Sequence, residues 1–201
     1  MQGHREFESL SVRYTFKNRL LGRLYMKRKS FLSGSYAFRA ARHEDLPLLR
    51  RWLETPEVTL WWGDPEEQAS LLASDLDDPH MAMWIVEFEG RPFAYVQDYD
   101  VHNWPQHHFA HLPPGSRGVD AFIGEPDMLG IGHGSVFLRR FAEWLRASGV
   151  PVVAIDPDPK NLRARYAYTQ AGFVGEVEVD TEWGPAVLMT FAPEFISPCV
   201  Q

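Results

Sequence analysis

Residues 118–173 constrain the fold more than any other stretch, because five elements follow one another there with little chain between them. Val119 to Ile123 reads as a buried strand, Gly130-Ile131-Gly132-His133-Gly134 is a loop, and Ser135 to Arg146 has Val136, Phe137, Phe141, Trp144 and Leu145 at helical spacing. Gly149 stops that helix. The β-branched run Val150 to Ile155 predicts a second strand. A turn, Asp156-Pro157-Asp158-Pro159, then delivers the chain to Asn161 and a second helix that ends at Gly172.

Alternating glycines before a helix have a physical use. Their backbone N–H groups converge on an anion at the positive end of the helix dipole, where a pyrophosphate fits. The spacing here is Gly-x-Gly-x-Gly, which is neither the dinucleotide fingerprint nor the ATP-binding P-loop. Taken alone, such a loop is more often a tight turn in which glycine only relieves sterics.

Downstream stands Asn161-x-x-Ala164-x-x-x-Tyr168-x-x-x-Gly172-Phe173. In this order and spacing, loop and helix resemble the two signatures of the GNAT acetyltransferase superfamily, whose glycine loop carries the pyrophosphate of acetyl-CoA. Gly132 and Gly134 take the glycine positions, and Leu129 stands where Arg or Gln is usual. Within the superfamily, Trp61-Trp62-Gly63, Tyr95 to Tyr99, Arg117-Gly118-Val119-Asp120, Asp156 to Ala164 and Gly184-Pro185-Ala186-Val187 resemble the aminoglycoside 6′-N-acetyltransferases, from about Tyr36 to Phe191.

The resemblance implies an acetyl-CoA-dependent N-acetyltransferase acting on a primary amine of a cationic antibiotic, with no metal. It implies Asp120 beside the attacking amine and Tyr168 as the acid that protonates the departing thiolate. Ile123, Leu129, Gly130, Ile131, Gly132, His133, Gly134, Ser135, Asn161 and Arg165 would line the coenzyme. Trp61, Trp62, Gln97, Tyr99, Asp120, Asp156, Asp158 and Trp183 would face the acceptor. Trp183 stands where the aminoglycoside enzymes often carry an acid before Gly-Pro-Ala-Val. The alternative is a siderophore-type N-acyltransferase acting on a lysine or diamine, which the histidine-rich residues 101–116 suit.

Charge agrees with a cationic substrate. Residues 36–201 hold 12 Lys and Arg against 25 Asp and Glu, an acidic surface that attracts polycations and repels nucleic acid. Plain solubility accounts for the same balance. Residues 1–35 hold eight basic and two acidic residues and read as an extension, disordered or not native, with Met26 a candidate start. The chain has neither the roughly 20-residue apolar run that spans a bilayer nor a signal-peptide core, so a cytoplasmic protein, monomer or homodimer, is expected. Cys199, the single cysteine, excludes a disulfide framework.

The remaining elements complete an α/β fold of GNAT type, residues 36–201, in the order β α α β β β α β α β β. The expected architecture is a mixed, mostly antiparallel twisted sheet of six to seven strands with helices on both faces. Thr55-Pro56 ends the first helix and Pro65 opens the next. Trp61 and Trp62 precede that second helix and, being adjacent, cannot both face one core. Residues 101–116, with His102, His107, His108 and His111, read as a long loop that suits a substrate flap better than a metal site.

Overall fold

The computed structural model describes residues 34–103 and 108–192, and the elements below belong to one unit that begins at Ser35. The basic extension lies almost wholly outside the described residues, as does His107. Seven strands form one sheet: β1 (Tyr36–Ala40), β2 (Met81–Phe88), β3 (Arg91–Asp100), β4 (Arg117–Ile123), β5 (Val153–Ile155), β6 (Phe173–Thr181) and β7 (Gly184–Phe191). Their spatial order is β1-β2-β3-β4-β5-β7-β6, antiparallel throughout except between β4 and β5. The helices are α1 (Leu46–Leu53), α2 (Pro56–Trp62), α3 (Pro65–Asp75), α4 (His133–Ala147) and α5 (Leu162–Ala171).

Side-chain alternation along the central strands assigns each helix to a face. Val86, Phe93, Val96 and Val119 pack with Phe137, Leu138, Phe141 and Leu145 of α4 and Ala171 of α5. Met83, Ile85, Tyr95 and Phe122 point the other way, against Leu49, Trp52 and Leu53 of α1, Val58 of α2 and Leu72 of α3. Each strand thus feeds two cores, and the expected helices on both faces are present.

Three local features differ from expectation. Pro56 ends α1 but also opens α2 at a position where a missing N–H costs nothing, so Trp61 and Trp62 lie inside a helix rather than before one. Their faces separate as adjacency requires: Trp62 packs edge-on to Phe122 at 4.8 Å, and Trp61 stays 36% exposed. Helix α4 starts at His133, because Gly132, at φ 105°, already serves as its N-cap. Strand β5 keeps only Val153–Ile155 of the longer run expected.

The β2–β3 hairpin turns through Glu89 and Gly90, both at positive φ (51° and 76°), the two-residue turn that matches strand twist. A non-glycine residue is uncommon there, and Glu89 is held by Ser35, whose N–H donates to its carboxylate at 2.6 Å. At the other end of β3, buried Asp98 accepts from Arg117 Nε at 2.7 Å and from Trp84 Nε1 at 3.1 Å. A buried carboxylate needs such partners, and the pair fastens the start of β4 to β3. Among the described residues no helix is long and apolar enough to cross a membrane.

Candidate active site

The parallel pairing of β4 with β5 covers only Arg117↔Val153 and Gly118↔Ala154. Beyond Gly118 the two strands part. Arg117 N donates to Val152 O, so by strand alternation the N–H groups of Ala121 and Ile123 turn toward the gap that opens. Two carboxylates stand at its mouth: Asp120, two residues past the last pair on β4, and Asp156, directly after β5.

Asp120 is held from β3. Its register partner Gln97 donates Nε2–H to Asp120 Oδ2 at 2.9 Å, and Gln97 Oε1 accepts from Tyr95 Oη at 2.6 Å. Tyr95 and Gln97 are buried, so the chain of bonds is stiff and fixes the direction of Oδ1 as well. Asp120 keeps some solvent contact, yet it is pushed up to about 7, first by burial and then by the charge of Asp156, against the lowering effect of Gln97 and His108. Asp75, at the end of α3, adds to the same upward push and is itself raised by burial.

Tyr168, on α5, is half-buried with its ring 6.3 Å from Phe173. Its phenol is raised above the ordinary tyrosine value by burial and then by Asp120 and Asp156. It therefore stays protonated across the neutral range. Tyr99 is buried and raised for the same reasons.

The glycine loop leads into α4. Gly130 and Gly132 have φ of 71° and 105°, conformations that account for glycine by themselves. Gly134 is different: a Cβ there would meet only Ala167 Cβ and Ile123 Cδ1, both at an ordinary 3.8 Å. The chain's own packing does not demand glycine at 134, whereas a group approaching the first turn of α4 from outside would. Leu129 and Ile131 flank the loop half-buried, and Ser135 Oγ donates to the Gly132 carbonyl at 2.9 Å. Asn161 caps α5 through the Ala164 N–H at 3.1 Å, and Arg165 reaches the Pro159 carbonyl at 3.2 Å.

These features coincide with what comparison shows. Residues 41–181 match the model of the acetyltransferase (GNAT) domain. An aminoglycoside N(6′)-acetyltransferase type 1 of Klebsiella pneumoniae is 32% identical over 167 residues, covering 77% of this chain and 82% of that protein. The chain belongs to the GNAT acetyltransferase family. Among solved structures, AAC(6′)-Ib in complex with paromomycin and acetyl-CoA superposes with a TM-score of 0.69 at 30% identity, over 83% of this chain and 99% of that one. The same enzyme with coenzyme A and kanamycin gives 0.69 at 31%, over 80% and 96%.

This GNAT protein is thus an acetyl-CoA-dependent N-acetyltransferase with the family fold. Its residues fit the coenzyme: the backbone of residues 130–134 and the N-terminus of α4 suit a pyrophosphate, and bare Gly134 leaves room for it. The His133 ring is not available to a ligand, since it is 1% exposed, hydrogen-bonded to Tyr36 Oη at 2.5 Å and packed on Phe88 and Phe93. On the acceptor side, Asp158 spends Oδ1 on the Lys160 N–H at 2.6 Å, which shapes the turn. Trp183 is 68% exposed in the β6–β7 turn, its ring 6.4 Å from that of His108. Among the described residues no cluster of His, Cys, Asp and Glu has metal-site geometry.

The structure also places at the site two residues that motif reading passed over. A Cβ at Gly124 would stand 2.0 Å from Trp52 Cγ, so glycine lets β4 end directly against α1. His108 reaches Asp156, with Nε2 2.8 Å from Oδ2. The histidine richness of residues 101–116 hinted at the second, and nothing in the motif reading at the first.

Proposed function

We propose that this acetyltransferase moves the acetyl group of acetyl-CoA onto the 6′ amine of an aminoglycoside. The observation that carries the reading is the pair of carboxylates, Asp120 and Asp156, at the mouth between β4 and β5, with Asp120 gripped by Gln97 and pushed up to about 7. Such a mouth attracts a polyamine, and a carboxylate of that basicity takes a proton from an ammonium without holding it too firmly. The 6′-specific relatives add the position of the amine.

In this reading Asp120 accepts the proton of the attacking amine directly or through one water. The carbon–nitrogen bond forms as the carbon–sulfur bond breaks, and Tyr168 gives its proton to the sulfur that leaves. The Ala121 and Ile123 N–H groups steady the developing negative charge on the carbonyl oxygen. Acetyl-CoA supplies an acyl group already activated as a thioester, so no covalent enzyme step is needed. Trp61, Trp62, Gln97, Tyr99, Asp156, Asp158 and Trp183 form the acceptor surround; Leu129, Ile131, Ser135, Asn161 and Arg165 form that of the coenzyme. The reaction takes place in the cytoplasm, in a monomer or homodimer, with no nucleic acid or membrane.

Coenzyme release measured with kanamycin, a simple diamine and a free lysine derivative tests this. Kanamycin should be the preferred acceptor, acetylated at its 6′ nitrogen. Preference for the diamine or the lysine amine would replace the aminoglycoside with the siderophore-type reaction.

A further inference from the structure

Residues 124–129 join the end of β4 to the glycine loop and have no part in the reaction as derived above, yet they are fastened from several sides. The Phe93 carbonyl of β3 accepts from both the Gly124 N–H at 2.9 Å and the Glu125 N–H at 3.2 Å. From α1, Trp52 Nε1–H and the Arg51 guanidinium donate to Glu125 Oε1 at 2.8 and 3.0 Å. Arg91, which opens β3, donates to Glu125 Oε2 at 2.9 Å and grips both oxygens of Asp127 at 2.7 and 3.0 Å. Met128 then enters the core that holds Phe137 of α4.

These bonds differ in what they do. The Trp52 indole is 1% exposed, and a buried N–H needs an acceptor, so that bond belongs to the fold. Arg51 and Arg91 are 64% and 49% exposed, and ion pairs so open to water contribute little stability. What they supply is direction: one carboxylate, 19% exposed, is held by donors from α1 and from β3 at once. Trp52 first, with Arg51 and Arg91 after it, keeps the Glu125 carboxyl below the usual range against the opposing effect of burial, so the node stays charged.

The held segment lies between two contacts of one ligand. Ile123, just before it, turns its N–H toward the gap where the thioester oxygen goes, and residues 130–134, just after it, form the cradle for the pyrophosphate. A ligand that spans two contacts gains from both only when their separation is fixed beforehand. We propose that Glu125 is a positioning residue of the coenzyme site: by tying residues 124–129 to α1 and to Arg91, it sets the glycine loop at the distance from Ile123 at which one coenzyme molecule reaches both. Arg91 carries the same restraint on to Asp127. This role rests on the reading of residues 130–134 as the pyrophosphate cradle.

Two variants test it while leaving the buried indole an acceptor. In Glu125→Gln the amide oxygen still accepts from Trp52, but the amide nitrogen faces Arg91, donor against donor. Arg91→Met removes the links to Glu125 and Asp127 from the other side. With kanamycin as acceptor, each should raise the KM for acetyl-CoA at least about threefold. With S-acetyl-N-acetylcysteamine, a thioester that lacks the pyrophosphate, kcat/KM should stay within about twofold of the wild type, because that donor uses only the Ile123 end. An unchanged KM for acetyl-CoA in both variants overturns the proposal, and so does an equal loss with both donors, which would make Glu125 a residue of the fold alone. A rise in Arg91→Met without one in Glu125→Gln would make Arg91 a direct contact of the coenzyme and overturn it as well. Gly134→Val tests the underlying reading separately: an unchanged KM for acetyl-CoA there removes the pyrophosphate from the loop, whatever the Glu125 variant does.

Discussion

The ring of Tyr99 lies so close over its register partner Gly118 that a Cβ on Gly118 would stand 2.3 Å from Tyr99 Cζ. Gly118 is also the last residue of β4 paired with β5, so the contact sits where the strands part. Gly118→Ala should push the ring aside and cost about 1–3 kcal/mol, the usual range for overpacking, in urea denaturation. In a Tyr99→Ala background the same substitution should cost almost nothing, since the obstacle is gone. Equal costs in both backgrounds would detach the glycine from the ring.

For Asp120 the pH dependence of stability has a definite sign. The folded carboxyl is pushed up to about 7, whereas an unfolded aspartate titrates near about 4. Between those values the folded chain binds more protons than the unfolded one, so stability falls as pH rises from about 4 to about 7 and is level above. Asp120→Asn should therefore be more stable than the wild type at pH 8, by about 1–3 kcal/mol, with the gain gone at pH 4. At neutral pH the same variant should lose roughly 10²- to 10⁴-fold in turnover, part of it regained as rising pH deprotonates the amine in solution. A raised KM with turnover unchanged would make the carboxylate an anchor and not a base.

Tyr168→Phe keeps the ring against Phe173 and deletes the proton. Turnover should fall roughly 10²-fold while the denaturation midpoint stays near that of the wild type. Because the phenol is raised rather than lowered, Tyr168 should add no basic limb to the wild-type profile below pH 10. Full turnover in the variant would make Tyr168 a packing residue.

The glycine loop offers one clean substitution. At Gly132 a side chain is strained by φ alone, so a loss there mixes stability with binding. Gly134→Val should fold, since the space around position 134 is ordinary, and should raise the KM for acetyl-CoA at least about tenfold, or about 1.4 kcal/mol. Unchanged KM with intact folding would remove the pyrophosphate from this turn.

Much of the fold was legible along the chain because its causes are local. Strand alternation, the helical spacing from Phe137 to Leu145, and the glycines at 149 and 172 each act within a turn or two of chain. Both halves of the family signature are local as well, and the second of them led to Tyr168, as the short run Arg117-Gly118-Val119-Asp120 led to Asp120. Pro56 illustrates the limit: one residue marks the end of one helix and the start of another with equal right, and only the packing of Val58 and Trp62 against Phe122 and Tyr95 selected the second helix. His133 illustrates another, for a histidine between two loop glycines reads as a ligand residue until its ring is found in the core.

By itself, then, the sequence determined the order of the strands, the two helices after β4 and β5, the glycine loop before α4, and the acidic character of residues 36–201. Tertiary structure alone decided that pairing of β4 and β5 stops at Gly118, that Gln97 grips Asp120, and that His108 meets Asp156. The reason is physical: hydrogen-bonded periodicity and turn sterics act between near neighbours along the chain. The ionisation of a carboxylate depends instead on how much water surrounds it and which charges approach through space, and those are set by distant segments brought together.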